Sequence, residues 1–503
     1  MLNYLKQETN KTKTTNGDTA FRSTMDELLD LFSNAATLRN KPEEIVKNYF
    51  TKAFYSKKAK DKLLVLKCLF YIRDIQEGLG ERRVFRIMMK ELLSGRYGKD
   101  YEYLINLIPE YGRWDDVLVA LDTPAQDTMV KVIKNRMKKD IKALREGNIH
   151  DISLMAKWMP KEDTSSASKV KAARKLASLL KLPSRKYRKN LTELRKAIGI
   201  IETSLTKKDY TFKYEHVPSL AMFKYKKAFA RNDKERYEQY LEDVRNQKKA
   251  LNTKVLAPYQ ITRAINKLNN KEISETQREY LDNAWNDLPD YAGASNALAV
   301  IDVSGSMVGE SENVAQALGI YFAEHNKGYF HNHFILFSGN PQLIELHGND
   351  IIEKVKYVKS YSDYTNTNIE KTYRLILDTA VKHNLPQSEL PEKLYIISDM
   401  QFDEGSVNND LSVFRQMQQE YEKNGYKLPN IIFWKVGEYH ETFPVTKNEQ
   451  GVISVSGFNT NLFKMIEENN FNYNPYDFMM KILKSTRYEK IKLPEVKHTE
   501  IKK

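Results

Sequence analysis

The stretch ALAVIDVSGSMVGESENVAQALGIYF, residues 297–322, decides the fold. An apolar run ends in Asp302 and is followed by Ser304 and Ser306, after which the spacing turns helical in ENVAQALGIYFAEHN, residues 312–326. The same alternation continues downstream. The β-rich runs HFILFS, KLYIISD, NIIFWKV and GVISVSG take turns with the helical runs NIEKTYRLILDTAVKH and DLSVFRQMQQEYEKN. Strand and helix in turn require crossover connections, hence a mostly parallel sheet covered on both faces. Ligands of such sheets gather at the carboxyl ends of the strands, near the reversal in strand order. Asp302 ends one strand and Asp399 another, in KLYIISD. Two carboxylates and two hydroxyls at one edge form a hard-oxygen site suited to Mg2+ or Mn2+. The plainer reading makes Asp302 a helix cap and the serines turn residues.

Upstream the period is different. From about residue 20 to 285 helix follows helix, as in STMDELLDLFSNAATL, where Thr24 and Glu27 are spaced as a capping box, and in NLTELRKAIGIIETSL. In AKDKLLVLKCLFYIRDIQEGLGERRVFRIMMKELL the pattern breaks at Gly78 and Gly80, which read as a helix–helix turn. Stacked helical hairpins are the economical architecture, although no exact repeat is visible. The chain is therefore expected to be multidomain: a flexible tail over 1–19, a basic all-α helical-repeat part over 20–290, a doubly wound α/β domain over 291–490, and a flexible tail over 491–503.

Charge follows the same division. Residues 1–290 hold 58 Lys and Arg against 39 Asp and Glu, and residues 291–503 hold 22 against 27. A net +19 on the helical part points to a polyanion partner, set against the alternative of solvated helix faces. The single cysteine, Cys68, excludes disulfides and cysteine-based zinc sites and fits the reducing cytosol. A polar N-terminus and the lack of any long apolar run point away from secretion and membranes, so a cytoplasmic protein is expected, in the host cytoplasm if the chain is viral.

At Asp302, Ser304, Ser306 and Asp399 a resemblance becomes specific. DVSGS and the aspartate of ISD are similar to the metal-ion-dependent adhesion site of von Willebrand factor A domains. The resemblance implies Ser304 and Ser306 as direct hydroxyl ligands, and Asp302 and Asp399 as carboxylates acting mainly through bound water. It implies a threonine from YSDYTNTNIEKTYRLIL, Thr367 in the better register and Thr365 as its rival, since the glycines that usually precede this threonine are absent. It also implies a protein partner that supplies an acidic residue to the ion. A helical part followed by such a domain resembles the Ro autoantigen, or TROVE, proteins, whose HEAT-like repeats close into an RNA-binding ring. GVISVSGFNTNLFKMIEE and VLAPYQITRAINKL carry that likeness. IRDIQEGLGERR, YGRWDDVL, HVPSLAM and ISDMQFDE resemble a related family of plants, fungi and viruses, phages included.

The family likeness implies a scaffold for small non-coding or misfolded RNA with single-stranded ends. The residues themselves offer KLPSRKYRKN, in which Arg185, Lys186, Arg188 and Lys189 surround Tyr187, an aromatic suited to stacking on an unpaired base, and a second basic patch at Arg82 and Arg83. A protein-interaction adaptor acting through the metal alone is the alternative. No enzyme signature is present: there is no GxxxxGK[ST], GxSxG or HExxH. His331 and His333 make too small a set for a metal site, and Asp403 reads as an outer ligand or a turn residue.

Overall fold

The computed structural model describes residues 1–58, 61–96, 98–252, 256–268, 273–291, 296–337, 339–361, 365–405, 411–437, 442–458, 461–467 and 474–494, without the side chains of 3, 4 and 461. It is mostly helical, with a six-stranded mixed sheet in its C-terminal part. The chain divides into two compact units, Met1–Ser56 with Pro218–Ser485, and Lys57–Val217 with Thr486–Lys503.

The first unit is built on the sheet. Its strands are β3 (Ala297–Asp302), β4 (His333–Phe337), β5 (Gln342–Glu345), β6 (Lys393–Ser398), β7 (Asn430–Lys435) and β8 (Val452–Ser456), while β1 (Lys11–Lys13) and β2 (Thr19–Phe21) form a separate hairpin. The order is β5-β4-β3-β6-β7-β8, parallel except for β5. Connections reverse direction between β3 and β6, so this pair is the switch point of a doubly wound sheet. Because side chains alternate along a strand, Leu298 and Val300 enter one core with Ile396, Phe433 and the helices Ile369–Lys382 and Val413–Lys423. The other face meets helix Glu310–His325 so closely that a Cβ on Gly319 would lie 1.7 Å from the Ile301 Cδ1.

The change of period near 290 marks where the sheet begins, but the first unit extends well beyond it. Helix Pro258–Asn266 packs on Glu310–His325, with the Thr262 hydroxyl donating to the Asn313 carbonyl (2.9 Å) and Asn266 Nδ2 donating to Asn313 Oδ1 (2.8 Å) and Gln316 Oε1 (3.1 Å). Helix Glu27–Asn34 lies on β8. Its cap is Asp26, which accepts from the Leu28 and Leu29 amides. Thr24 instead gives both its amide and its hydroxyl to Asp30, so the expected capping box does not form. Residues 1–19 are not a loose tail. They form helix Leu2–Asn10 and the hairpin, and Phe21 pairs with Phe443 through two backbone bonds of 2.9 Å.

The second unit is helical, with Lys62–Arg73, Arg82–Ser94, Gln126–Arg145, Ala167–Leu179 and Ser184–Ala197 as its longest elements. The turn at Gly78 and Gly80 is as expected: Gly80 has φ +71°, and a Cβ on Gly78 would sit 2.1 Å from the Tyr71 carbonyl oxygen. IRDIQEGLGERR and YGRWDDVL meet in a buried charge cluster. Asp116 accepts from Arg73 Nη2 (2.7 Å) and Arg86 Nε (2.6 Å), while Asp74 takes Arg487 through two bonds of 2.7 and 2.8 Å. The end of the chain shares in this unit. Ile491 is buried and Tyr103 donates its hydroxyl to the Lys492 carbonyl, so the expected tail does not begin at 491; residues 495–503 lie outside the described ones.

Removing one member of a fully buried ion pair strands the other in a medium of low polarity. Asp116→Ala is therefore expected to cost the helical unit about 3 to 5 kcal/mol, since Arg73 is only 1% exposed. Urea unfolding of the full chain checks this, and a loss below about 1 kcal/mol would contradict it.

Candidate metal centre

Asp302 and Asp399 leave the carboxyl ends of the adjacent strands β3 and β6, at the switch point, and both are buried. Asp302 Oδ1 accepts from the Ser304 amide (2.9 Å) and its Oδ2 from the Ser398 hydroxyl (2.5 Å). The Ser304 hydroxyl also bears on Asp302 and lies within 3.2 Å of Ser306 Oγ. Ser304 is buried and Ser306 exposed. Asp399 Oδ1 accepts from the Gln401 amide (3.1 Å), whereas its Oδ2 is buried with no hydrogen-bond partner.

Thr367 is the buried threonine of its loop, 1% exposed, and is tied to Asp403 by two bonds: its amide donates to Asp403 Oδ1 (3.3 Å), and its carbonyl accepts from the Asp403 amide (2.9 Å). Thr365 turns the other way, accepting from the Gly339 amide at 2.9 Å. The geometry thus favours Thr367 as the threonine on the site's side. Part of YSDYTNTN, residues 362–364, lies outside the described residues.

Two residues that sequence reasoning passed over complete the arrangement. Ser398, just before Asp399 in the same strand end, anchors Asp302 across the strand pair. Gly437 is required for space, because a Cβ there would meet the Asp399 Cβ at 2.1 Å. Electrostatics follow from burial. Desolvation first, and the charge of Asp399 second, push Asp302 up to about 7, against the opposing bonds from Ser304 and Ser398. Two buried carboxylates, one with an orphaned oxygen, beside the Ser304 and Ser306 hydroxyls fit a hard divalent cation, which would supply the missing positive charge. No group of three or more His, Cys, Asp or Glu is placed to hold a metal among the described residues, so the donors here are two carboxylates with hydroxyls. His331 and His333 each turn Nδ1 to a backbone carbonyl, at 2.6 and 2.8 Å.

The residues expected to meet RNA lie in the other unit and separate into two kinds. Arg185, Lys186, Arg188 and Lys189 are exposed on helix Ser184–Ala197. Tyr187 on the same helix is 1% exposed, its hydroxyl donating to the Pro160 carbonyl (3.0 Å), so it offers no face for a base and the stacking role is corrected. Arg82 and Arg83 are exposed, with Arg82 3.9 Å from Asp115. The basic excess is confined to this unit: its two segments carry 42 Lys and Arg against 24 Asp and Glu, and the sheet unit 38 against 42.

With the site described, comparison with known proteins places the chain beside two families, each described as a domain of unknown function. DUF2828 matches residues 161–292 and DUF7788 residues 296–499, so the two meet where the sequence changes period. An uncharacterized protein of Acanthamoeba polyphaga mimivirus is 28% identical over 504 residues, covering 93% of this chain and 86% of that one. Among solved structures, the crystal structure of the Deinococcus radiodurans Ro (RSR) protein is similar with a TM-score of 0.41 and 13% identity, over 86% of this chain and 92% of that chain.

Without a cation, the folded state holds the Asp302 proton more tightly than the unfolded state, whose value is near 3.8. Stability must then fall as pH rises from about 4 through 7, the window in which the folded chain binds the extra proton. In chelator, wild type is expected to lose melting temperature between pH 5 and 8 relative to Asp302→Asn. A pH-independent difference between the two would contradict this.

Proposed function

We propose that the chain is a non-catalytic binding scaffold with two separate chemistries, a divalent-cation site on the sheet unit and a polyanion-binding face on the helical unit. The observation that carries the first is the pair of buried switch-point carboxylates, with Asp399 Oδ2 unpartnered. Ser304, Ser306 and Thr367 would hold Mg2+ or Mn2+ directly, and Asp302 and Asp399 would hold its waters. The ion would supply positive charge and an open position for an oxygen ligand. Ser306, the exposed member of the set, gives the side from which an acidic residue of a protein partner would approach. No helix among the described residues is long and apolar enough to cross a membrane.

The second chemistry is supported by the net +18 of the helical unit and by the four cations that helix Ser184–Ala197 turns outward. Arg195 fixes that helix by donating to the Ala156, Lys157 and Met159 carbonyls, so its cations are displayed on a braced element. RNA is the favoured polyanion, read through its phosphates and without base stacking on Tyr187, in the manner of a Ro-like scaffold acting in the cytoplasm. An adaptor that works through the cation site alone is the second reading, favoured by the exposure of Ser306.

Two measurements test this. Asp302→Ala should lower Mn2+ or Mg2+ affinity at least about tenfold by calorimetry, as expected when an outer carboxylate is lost. Equal binding by the two proteins would remove the metal reading. Reversing Arg185, Lys186, Arg188 and Lys189 to glutamate should weaken single-stranded RNA of any sequence, and six phosphate contacts would give wild type a log–log salt slope of about −4. Unchanged retention at every salt concentration would leave the adaptor.

A further inference from the structure

The hairpin β1–β2 ends at the candidate metal centre. Its turn lies along the loop that follows Asp399, and the contacts are polar and numerous. The Thr14 hydroxyl donates to the Phe402 carbonyl (2.7 Å), and the Thr15 amide donates to Gln401 Oε1 (2.8 Å). Asn16 Nδ2 donates to the Gln401 carbonyl (2.7 Å) and reaches Thr367 Oγ1 at 3.5 Å, while the Glu404 amide donates to the Asn16 carbonyl (3.1 Å). Farther along, Asp18 Oδ1 accepts from the Val413 amide (3.1 Å), and Lys13 Nζ lies 3.2 Å from Glu404 Oε1.

Gln401 is the shared residue. Its amide donates to Asp399 Oδ1, while its side-chain and main-chain oxygens hold Thr15 and Asn16. Gln401 is 2% exposed, so the loop side of these bonds is buried, while Thr15 and Asn16 face solvent. The carboxylate side of the loop and the hairpin side are therefore one connected hydrogen-bond network, and Asn16 joins that network to the Thr367 loop as well.

We propose that the hairpin is a clasp linked to cation binding, and that Asn16 is a positioning residue for the site. The inference rests on the reading of Asp302, Ser304, Ser306, Thr367 and Asp399 as a divalent-cation site. The docked hairpin fixes Gln401 and Thr367, and through them sets Asp399 Oδ1 and the threonine hydroxyl for the ion. Linkage makes the effect reciprocal: a cation that favours this loop arrangement tightens the hairpin by the same factor by which the hairpin tightens the cation. The N-terminus then reports on the state of the site, and whatever draws the hairpin away loosens the ion.

The test uses the full chain, wild type and Asn16→Ala, with Mn2+ as probe. Asn16 is exposed, so its truncation leaves no cavity. Calorimetry should show Mn2+ affinity about tenfold weaker in Asn16→Ala, the scale of lost outer-sphere support. Amide hydrogen exchange supplies a readout that a merely structural hairpin would not move. In wild type the Thr15 amide should exchange about tenfold more slowly with Mn2+ than with chelator, within the usual range of coupling between sites. In Asn16→Ala that difference should vanish, while the Phe21 amide, bonded to the Phe443 carbonyl, stays protected. Equal Mn2+ affinity in the two proteins, or Thr15 exchange indifferent to Mn2+, overturns the clasp and leaves the cation site standing. Failure of wild type to bind Mn2+ at all overturns the cation reading and the clasp with it.

Discussion

Asp302 and Asp399 stand at the ends of neighbouring parallel strands, inside the protein, where the charge of Asp399 acts against that of Asp302. Burying one unpaired carboxylate is costly and burying two together is worse, so the chain has to arrange compensation around this point. The compensation takes the form of donors: the Ser304 amide, the Ser398 hydroxyl and the Gln401 amide. Each comes from within three residues of a strand end. Donors so close in sequence to the carboxylates are placed by the strand ends themselves, and the sheet order then brings the two ends together. What the donors leave unmet is Asp399 Oδ2, the oxygen on which the proposed cation site rests.

The helical unit solves a similar problem differently. Three of its buried carboxylates are paired: Asp116 with Arg73 and Arg86, Asp74 with Arg487, and Asp140 with Arg136 and Ser153. IRDIQEGLGERR and YGRWDDVL are thus structural motifs, their charges consumed in holding helices together. The glycines belong to the same design. A Cβ on Gly112 would come within 2.7 Å of Asp116 Oδ2 and 2.9 Å of Arg73 Nε. The cations that face outward include Arg82 and Arg83 and, on one helix, Arg185, Lys186, Arg188 and Lys189.

The sheet and the paired aspartates were legible in the sequence because both are local signals. Period changes within a few residues, and each aspartate ends its own apolar run. Tyr187 was misread for the converse reason. Its basic neighbours describe one face of a helix, while its own burial is set by Pro160, 27 residues away, and by packing that composition does not encode. The hairpin was misread similarly. Lys11 to Asp18 is polar enough to suggest a loose tail, yet its polar groups are satisfied by a loop more than 380 residues distant. Thr24 was taken for a cap because its spacing fitted one, but Asp26 and Asp30 compete for the same amides and hydroxyl and win. Register alone put Thr367 ahead of Thr365, and the structure adds that the Thr365 hydroxyl accepts from the Gly339 amide.

The sheet unit is assembled from two pieces of chain, with residues 57–217 threaded between them. This has a temporal meaning during synthesis. The hairpin is made before the sheet, and Thr14 must wait for Phe402, 388 residues later. At ordinary elongation rates that delay is roughly 20 to 80 s. The intervening helical unit emerges and can fold within the interval, since its own contacts are shorter in range, apart from those to Asp74 and Tyr111 from the last residues of the chain. The two strands meanwhile lack the loop that satisfies their polar groups, a state open to mispairing or to a chaperone. Docking of the hairpin onto residues 401–404 is consequently a late event in synthesis.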